Sequence, residues 1–121
     1  MPELGEIRLA ELRAALERAH RELTEFVAAT RDGAKPVDLD EPIGRLTRMD
    51  AIQQQATLQA ERRAQDLRRR QVEQALRRME EGSYGLCLKC EDTIGAARLD
   101  ARPESPFCLD CQDRIDKKHS G

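Results

Sequence analysis

Four cysteines carry the chemistry open to this sequence. They stand as two pairs, Cys87-Leu-Lys-Cys90 and Cys108-Leu-Asp-Cys111, with seventeen residues between them. Two CxxC pairs at this separation suit four thiolates around one tetrahedral zinc ion. Each pair forms a short knuckle, and the intervening chain is long enough to fold the second knuckle onto the first. Four thiolates leave no open coordination position, so the expected Zn²⁺ is single and structural. A dithiol redox site needs one CxxC, usually at a helix N-terminus in a βαβ setting, and that setting is absent. No nucleophile–base pair, glycine-rich phosphate loop or pair of catalytic carboxylates accompanies the cysteines. The chain is not expected to be an enzyme.

A second cluster is acidic: Asp38, Asp40 and Glu41, with Asp50 and three glutamines, Gln53 to Gln55, following on. Asp and Glu at these positions can act simply as a helix cap and first turn, where the helix dipole favours them. They can also form an acidic tip that reaches a metal ion or basic site on a partner.

Two helices are needed to position these groups. Leu9, Leu12, Leu16, Ala19, Leu23 and Phe26 repeat at 4-3 spacing, a narrow seam on a helix over about 3–30. Gly33 and Pro36 end it, and residues 31–41 form a tip loop. A second helix is expected over about 42–81, with the seam Leu46, Met49, Gln53, Ala56, Ala60, Ala64 and Leu67. Val72, Ala75, Leu76 and Met79 continue it on a shifted face. The short loop makes the helices antiparallel. If Phe26 meets Leu46, Leu9 falls near Leu67 or Ala64, and the last turns of the second helix are left for the zinc module. The expected fold is mainly α: a coiled-coil hairpin over 1–81, then a four-cysteine module over 82–121 with a short helix at about 112–118. His20 reads as an ordinary surface residue.

Composition sets the outer bounds. Apolar residues make up 39 % and charged residues 36 %, with one Tyr, two Phe and no Trp. So thin a core needs the metal's binding energy. The formal net charge of −2 gives no reason to expect DNA binding. The second helix carries nine arginines against seven acids over 41–81, with no interleaved aromatic for base stacking. The opening Met-Pro-Glu-Leu-Gly-Glu has neither a basic start nor an apolar run, and no stretch is long enough to span a membrane. A cytoplasmic monomer is expected, where paired cysteines are more often ligands than disulfides.

The segments Tyr84-Gly-Leu-Cys-Leu-Lys-Cys90, Ile94-Gly95, Arg98-Leu99, Ala101-Arg-Pro103 and Cys108-Leu-Asp-Cys-Gln112 resemble the DksA/TraR family of C4 zinc-finger proteins. The preceding hairpin has the right size and order. The resemblance implies a bacterial transcription regulator that binds RNA polymerase rather than DNA. Its coiled coil would enter the secondary channel, placing the tip residues Asp38, Asp40, Glu41 and Asp50 near the catalytic centre. It would alter open-complex stability, often together with ppGpp, and Arg102 matches a family arginine associated with that nucleotide. Three places depart from the family pattern. Glu91 stands where Gly usually follows the second cysteine, the tip motif Asp-x-x-Asp-x-Ala is absent, and Gln112 stands where a well-studied member of the family has a basic residue. The alternative is an interaction module, a coiled coil stapled by zinc, without promoter-regulating activity.

Overall fold

The computed structural model describes residues 5–31 and 45–120. They form four helices: α1 (Glu6–Ala29), α2 (Arg45–Glu81), α3 (Ala96–Ala101) and α4 (Leu109–Ser120). The two long helices and the late helix are thus present, with α4 longer than the expected 112–118. The six-residue α3 lay below what periodicity can signal. Residues 32–44, with Asp38, Asp40 and Glu41, lie outside the described residues.

The α1 seam is as expected. Leu12, Leu16 and Leu23 are buried, and Leu9 and Ala19 pack against the same core. On α2 the expectation fails. Met49 and Leu67 are 60 % and 56 % exposed, and Gln53, Ala56, Ala60 and Ala64 are exposed too. The buried face is the shifted one, with Val72 and Ala75 fully enclosed and Leu76 and Met79 beside them.

The register shifts accordingly. His20 Nε2 lies 3.0 Å from Glu73 Oε1, and Arg13 pairs with Glu80 at 3.9 Å. Arg62 reaches the other end of α1, where it donates to the Val27 carbonyl (2.8 Å) and the Thr30 hydroxyl (2.9 Å). Leu9 therefore lies with Met79 and Tyr84, not with Leu67 or Ala64. The helices are antiparallel, but α1 sits at the zinc end of α2. The cause is the core: Val72 and Ala75 enclose more apolar surface beside Tyr84 and Leu99 than the alanine-rich half of α2 offers. His20 is half-buried between the helices rather than a plain surface residue.

The middle of the interface is held by polar bonds. Glu73 accepts from Arg69 (2.6 Å), and Arg69 also reaches Asp66 (2.8 Å). The His20 hydrogen bond, ahead of the Arg69 charge, holds the Glu73 carboxyl below its ordinary range. Below it, one core joins hairpin and zinc module: Leu12, Leu16, Leu23, Val72 and Ala75 meet Tyr84, Ile94, Leu99 and the inner cysteines. Arg8 of α1 is ion-paired with Asp100 of α3. Beyond Arg62, α2 continues for another seventeen residues, about 25 Å of helix.

This register makes a direct prediction. Leu16→Ala should cost about 2–5 kcal/mol in urea unfolding, because Leu16 is 1 % exposed. Met49→Ala, in the seam that the alternative register would bury, should change stability by less than about 0.5 kcal/mol.

Candidate metal centre

The first knuckle is a tight backbone loop. Gly85, at φ +93°, turns the chain, and its carbonyl accepts from Ile94 N at 2.8 Å. Leu86 and Thr93 form an isolated antiparallel bridge, and Cys87 N donates to Asp92 O at 2.8 Å. This loop brings Cys87 and Cys90 onto one side. Glu91 closes it at φ +66°, in the left-handed region that a non-glycine residue enters at a cost of about 1 kcal/mol.

The second knuckle is the start of α4. Cys108 precedes the helix, and its sulfur accepts from Cys111 N at 3.4 Å, as a capping side chain would. Leu88 N donates to Pro106 O at 2.9 Å and joins the two knuckles. Lys89 N donates to Cys87 Sγ at 3.4 Å.

All four sulfurs lie within 4.8 Å of one another, and no pair forms a disulfide. Cys90 Sγ and Cys108 Sγ are 3.8 Å apart. A regular tetrahedron with zinc–thiolate bonds of about 2.3 Å has sulfur–sulfur edges of about 3.8 Å, so the cluster fits one zinc ion. The charges require a cation as well. Burial pushes the Cys87 thiol up, but backbone donors at Cys90, Cys108 and Lys89 outweigh it and bring it to about 6. Cys111, sharing hydrogen bonds with Cys108 and then desolvated, is pushed up to about 12. The second proton comes off readily only beside a dication. Cys87, Cys90, Cys108 and Cys111 hold one structural Zn²⁺, which ties two loops into a platform and leaves no position for catalysis.

The platform grips α2 through groups that spacing alone did not single out. Tyr84 is 2 % exposed and its hydroxyl donates to Pro103 O at 2.8 Å; burial pushes its pKa up to about 12, so it stays a donor. Beside it the Arg78 guanidinium is buried, with Nε and Nη1 making no hydrogen bond, and burial holds its pKa down. Glu104, 2 % exposed, accepts from Arg68 of α2 at 3.0 Å. Arg102 sits at the end of α3 and faces the same carboxylate oxygen at 3.7 Å. The signal for Glu104 was available only as a carboxylate inside a module rich in arginine. Asp50 is exposed in the first turns of α2, far from the cysteines.

Metal analysis should find one zinc per chain, and Cys87→Ser should lose it to a mild chelator that leaves the parent loaded. Glu91→Gly should raise stability by about 1 kcal/mol in denaturant unfolding, because it removes the left-handed strain without touching a ligand.

Comparison with known proteins places this geometry. Residues 82–117 match the family model described as the prokaryotic dksA/traR C4-type zinc finger. The chain is 30 % identical over 114 residues to the RNA polymerase-binding transcription factor DksA of Escherichia coli K12, covering 90 % of this chain and 72 % of that protein. It is 45 % identical over 47 residues to the protein of the same name from Caulobacter vibrioides NA1000; that match covers 39 % of this chain and only 33 % of the relative's length. The fold is that of transcription factor DksA2 from Pseudomonas aeruginosa, with a TM-score of 0.68 at 22 % identity over 96 % of this chain and 88 % of that one. With its four thiolates, its helical hairpin and a relative aligned along most of both chains, the protein belongs to the DksA/TraR family of C4-type zinc-finger proteins.

Proposed function

We propose that this chain is a non-enzymatic regulator of transcription that binds RNA polymerase, with the zinc module as its platform and the hairpin as its arm. The observation that carries the reading is the alignment along 90 % of the chain with a relative whose name states polymerase binding. The geometry supports it. An α2 of 37 residues, about 55 Å long, stands on a compact metal-held base. Its first turns run well past the α1 contacts, as an arm that enters a channel must. We place the action at the far end, with Asp38, Asp40 and Glu41 in the segment before α2 and Asp50 on its exposed start. Entry through the secondary channel and an effect on open complexes are parts of the proposal. Arg102 is the candidate contact for ppGpp, in competition with Glu104. Among the described residues no helix is long and apolar enough to cross a membrane, which suits a cytoplasmic partner.

A second reading, a zinc-stapled interaction module, draws on Met49 and Ile52, 60 % and 45 % exposed on that same arm. Sedimentation separates the two: a concentration-dependent dimer lost in Met49→Gln/Ile52→Gln favours the module, a monomer the regulator.

The zinc-loaded chain should co-purify with its cognate core polymerase and change transcript yield at a stable-RNA promoter. Asp38→Ala/Asp40→Ala should keep the binding and lose most of the effect on transcription. Absence of binding to core polymerase in a mobility-shift titration sinks the reading.

A further inference from the structure

Among the described residues, the outermost hydrogen bonds between α1 and α2 both come from Arg62. Its Nη2 donates to the Val27 carbonyl at 2.8 Å, and its Nε to the Thr30 hydroxyl at 2.9 Å. The Thr30 hydroxyl in turn donates to the Phe26 carbonyl at 2.7 Å. The end of α1 is thus tied to one half-buried guanidinium on α2. The acid one turn further along α2, Asp66, is already held by Arg69 (2.8 Å) and Arg70 (2.6 Å).

The Val27 carbonyl decides where α1 stops. In a continuing α-helix it would accept from Arg31 N, four residues on. Arg31 N instead reaches Ala28 O at 3.4 Å, a tighter turn with a poorer hydrogen bond. Thr30 N still closes its α-helical bond to Phe26 O at 3.0 Å, so the pattern changes between Thr30 and Arg31. The local sequence does not account for that point. The C-cap Thr30 stands at φ −96° and ψ 3°, outside the left-handed region, and the last turn of α1 holds no basic residue. Gly33, which could stop the helix by itself, comes four residues after Ala29. Arg62 supplies what α1 lacks: a donor for the freed carbonyl, and a positive charge at the negative end of the helix dipole.

We propose that Arg62 is a positioning residue for the tip: from across the hairpin it stops α1 at Ala29 and fixes where the chain leaves for the acidic segment before α2. The tip role rests on the reading of Asp38 and Asp40 as the acting residues. Arg62 governs how that segment is held and not how the platform docks, because the zinc module and the core lie at the other end of α2. The planar fork serves two acceptors at once, which an ammonium group does less well.

The test has two arms, both on the zinc-loaded full chain. In the isolated chain, Arg62→Met removes the donors and keeps the helix propensity of α2. Carbon chemical shifts at Thr30 and Arg31 should move toward helical values, while the Leu16 and Leu99 amides keep their exchange protection. Thr30→Val should give a smaller shift at Arg31, and adding it to Arg62→Met should bring nothing further, because the two side chains form one bond. With polymerase, Arg62→Met should keep the Kd for core enzyme within about twofold and lower the effect on transcript yield about tenfold, the equilibrium factor of one charged hydrogen bond. Arg62→Lys should restore part of that effect. Unmoved shifts at Thr30 and Arg31 overturn the inference, as does a full transcription effect in Arg62→Met where Asp38→Ala/Asp40→Ala loses it. Lost protection at Leu99 also overturns it, since Arg62 would then be a fold clamp. A parent that binds no polymerase overturns the functional reading and the tip role with it, while the chemical shifts still decide the stop in α1.

Discussion

Four thiol sulfurs within 4.8 Å of one another cannot all ionise unless a dication stands among them. Everything else in the molecule follows from meeting that condition. Residues 84–108 contain one six-residue helix and one isolated bridge, too little hydrogen-bonded structure to hold a shape. Fixing the two knuckles on one ion turns this loop-rich stretch into a surface that presents Tyr84, Ile94 and Leu99 together. That surface completes the core begun by Leu12, Leu16, Val72 and Ala75. In a chain with two Phe, one Tyr and no Trp, no other apolar cluster among the described residues approaches it.

The position of the core explains the shape of the arm. Because α1 is drawn to the zinc end of α2, the pairing is used up by Arg62 and the start of α2 projects. Polar bonds rather than packing hold the hairpin above the core: His20 to Glu73 and Arg62 to the end of α1. Such bonds specify register with little net stability, so among the described residues stability is concentrated at the base. A partner-binding arm on a metal-fixed platform needs that distribution. The platform itself binds nothing at the zinc; its exposed chemistry is the arginine-and-carboxylate cleft beside α2.

Much of this was legible in the residues. The CxxC spacing announced the metal, and the 4-3 repeat announced α1 and its buried face. Glu91 announced a knuckle turned without glycine, and it stands at φ +66°. The register of α2 was not legible, for a physical reason. Its true inner face reads Leu58, Arg62, Gln65, Arg69, Val72, which is charged at alternate turns, while the exposed face carries the apolar Met49, Ala56, Ala60 and Leu67. A pattern rule that looks for apolar seams selects the wrong stripe when arginines bridge the interface. Glu104 was passed over for a related reason: a carboxylate near arginines reads as surface until the fold encloses it.

The account stands on hairpin base and zinc module being one cooperative unit, and backbone hydrogen exchange with and without the metal tests this most directly. Stripping the zinc should speed exchange at the Leu12–Leu23 amides of α1 by about a hundredfold or more, in step with Leu99, because the metal's binding energy is folding energy for both. Unchanged protection along α1 while residues 84–111 exchange freely would contradict it.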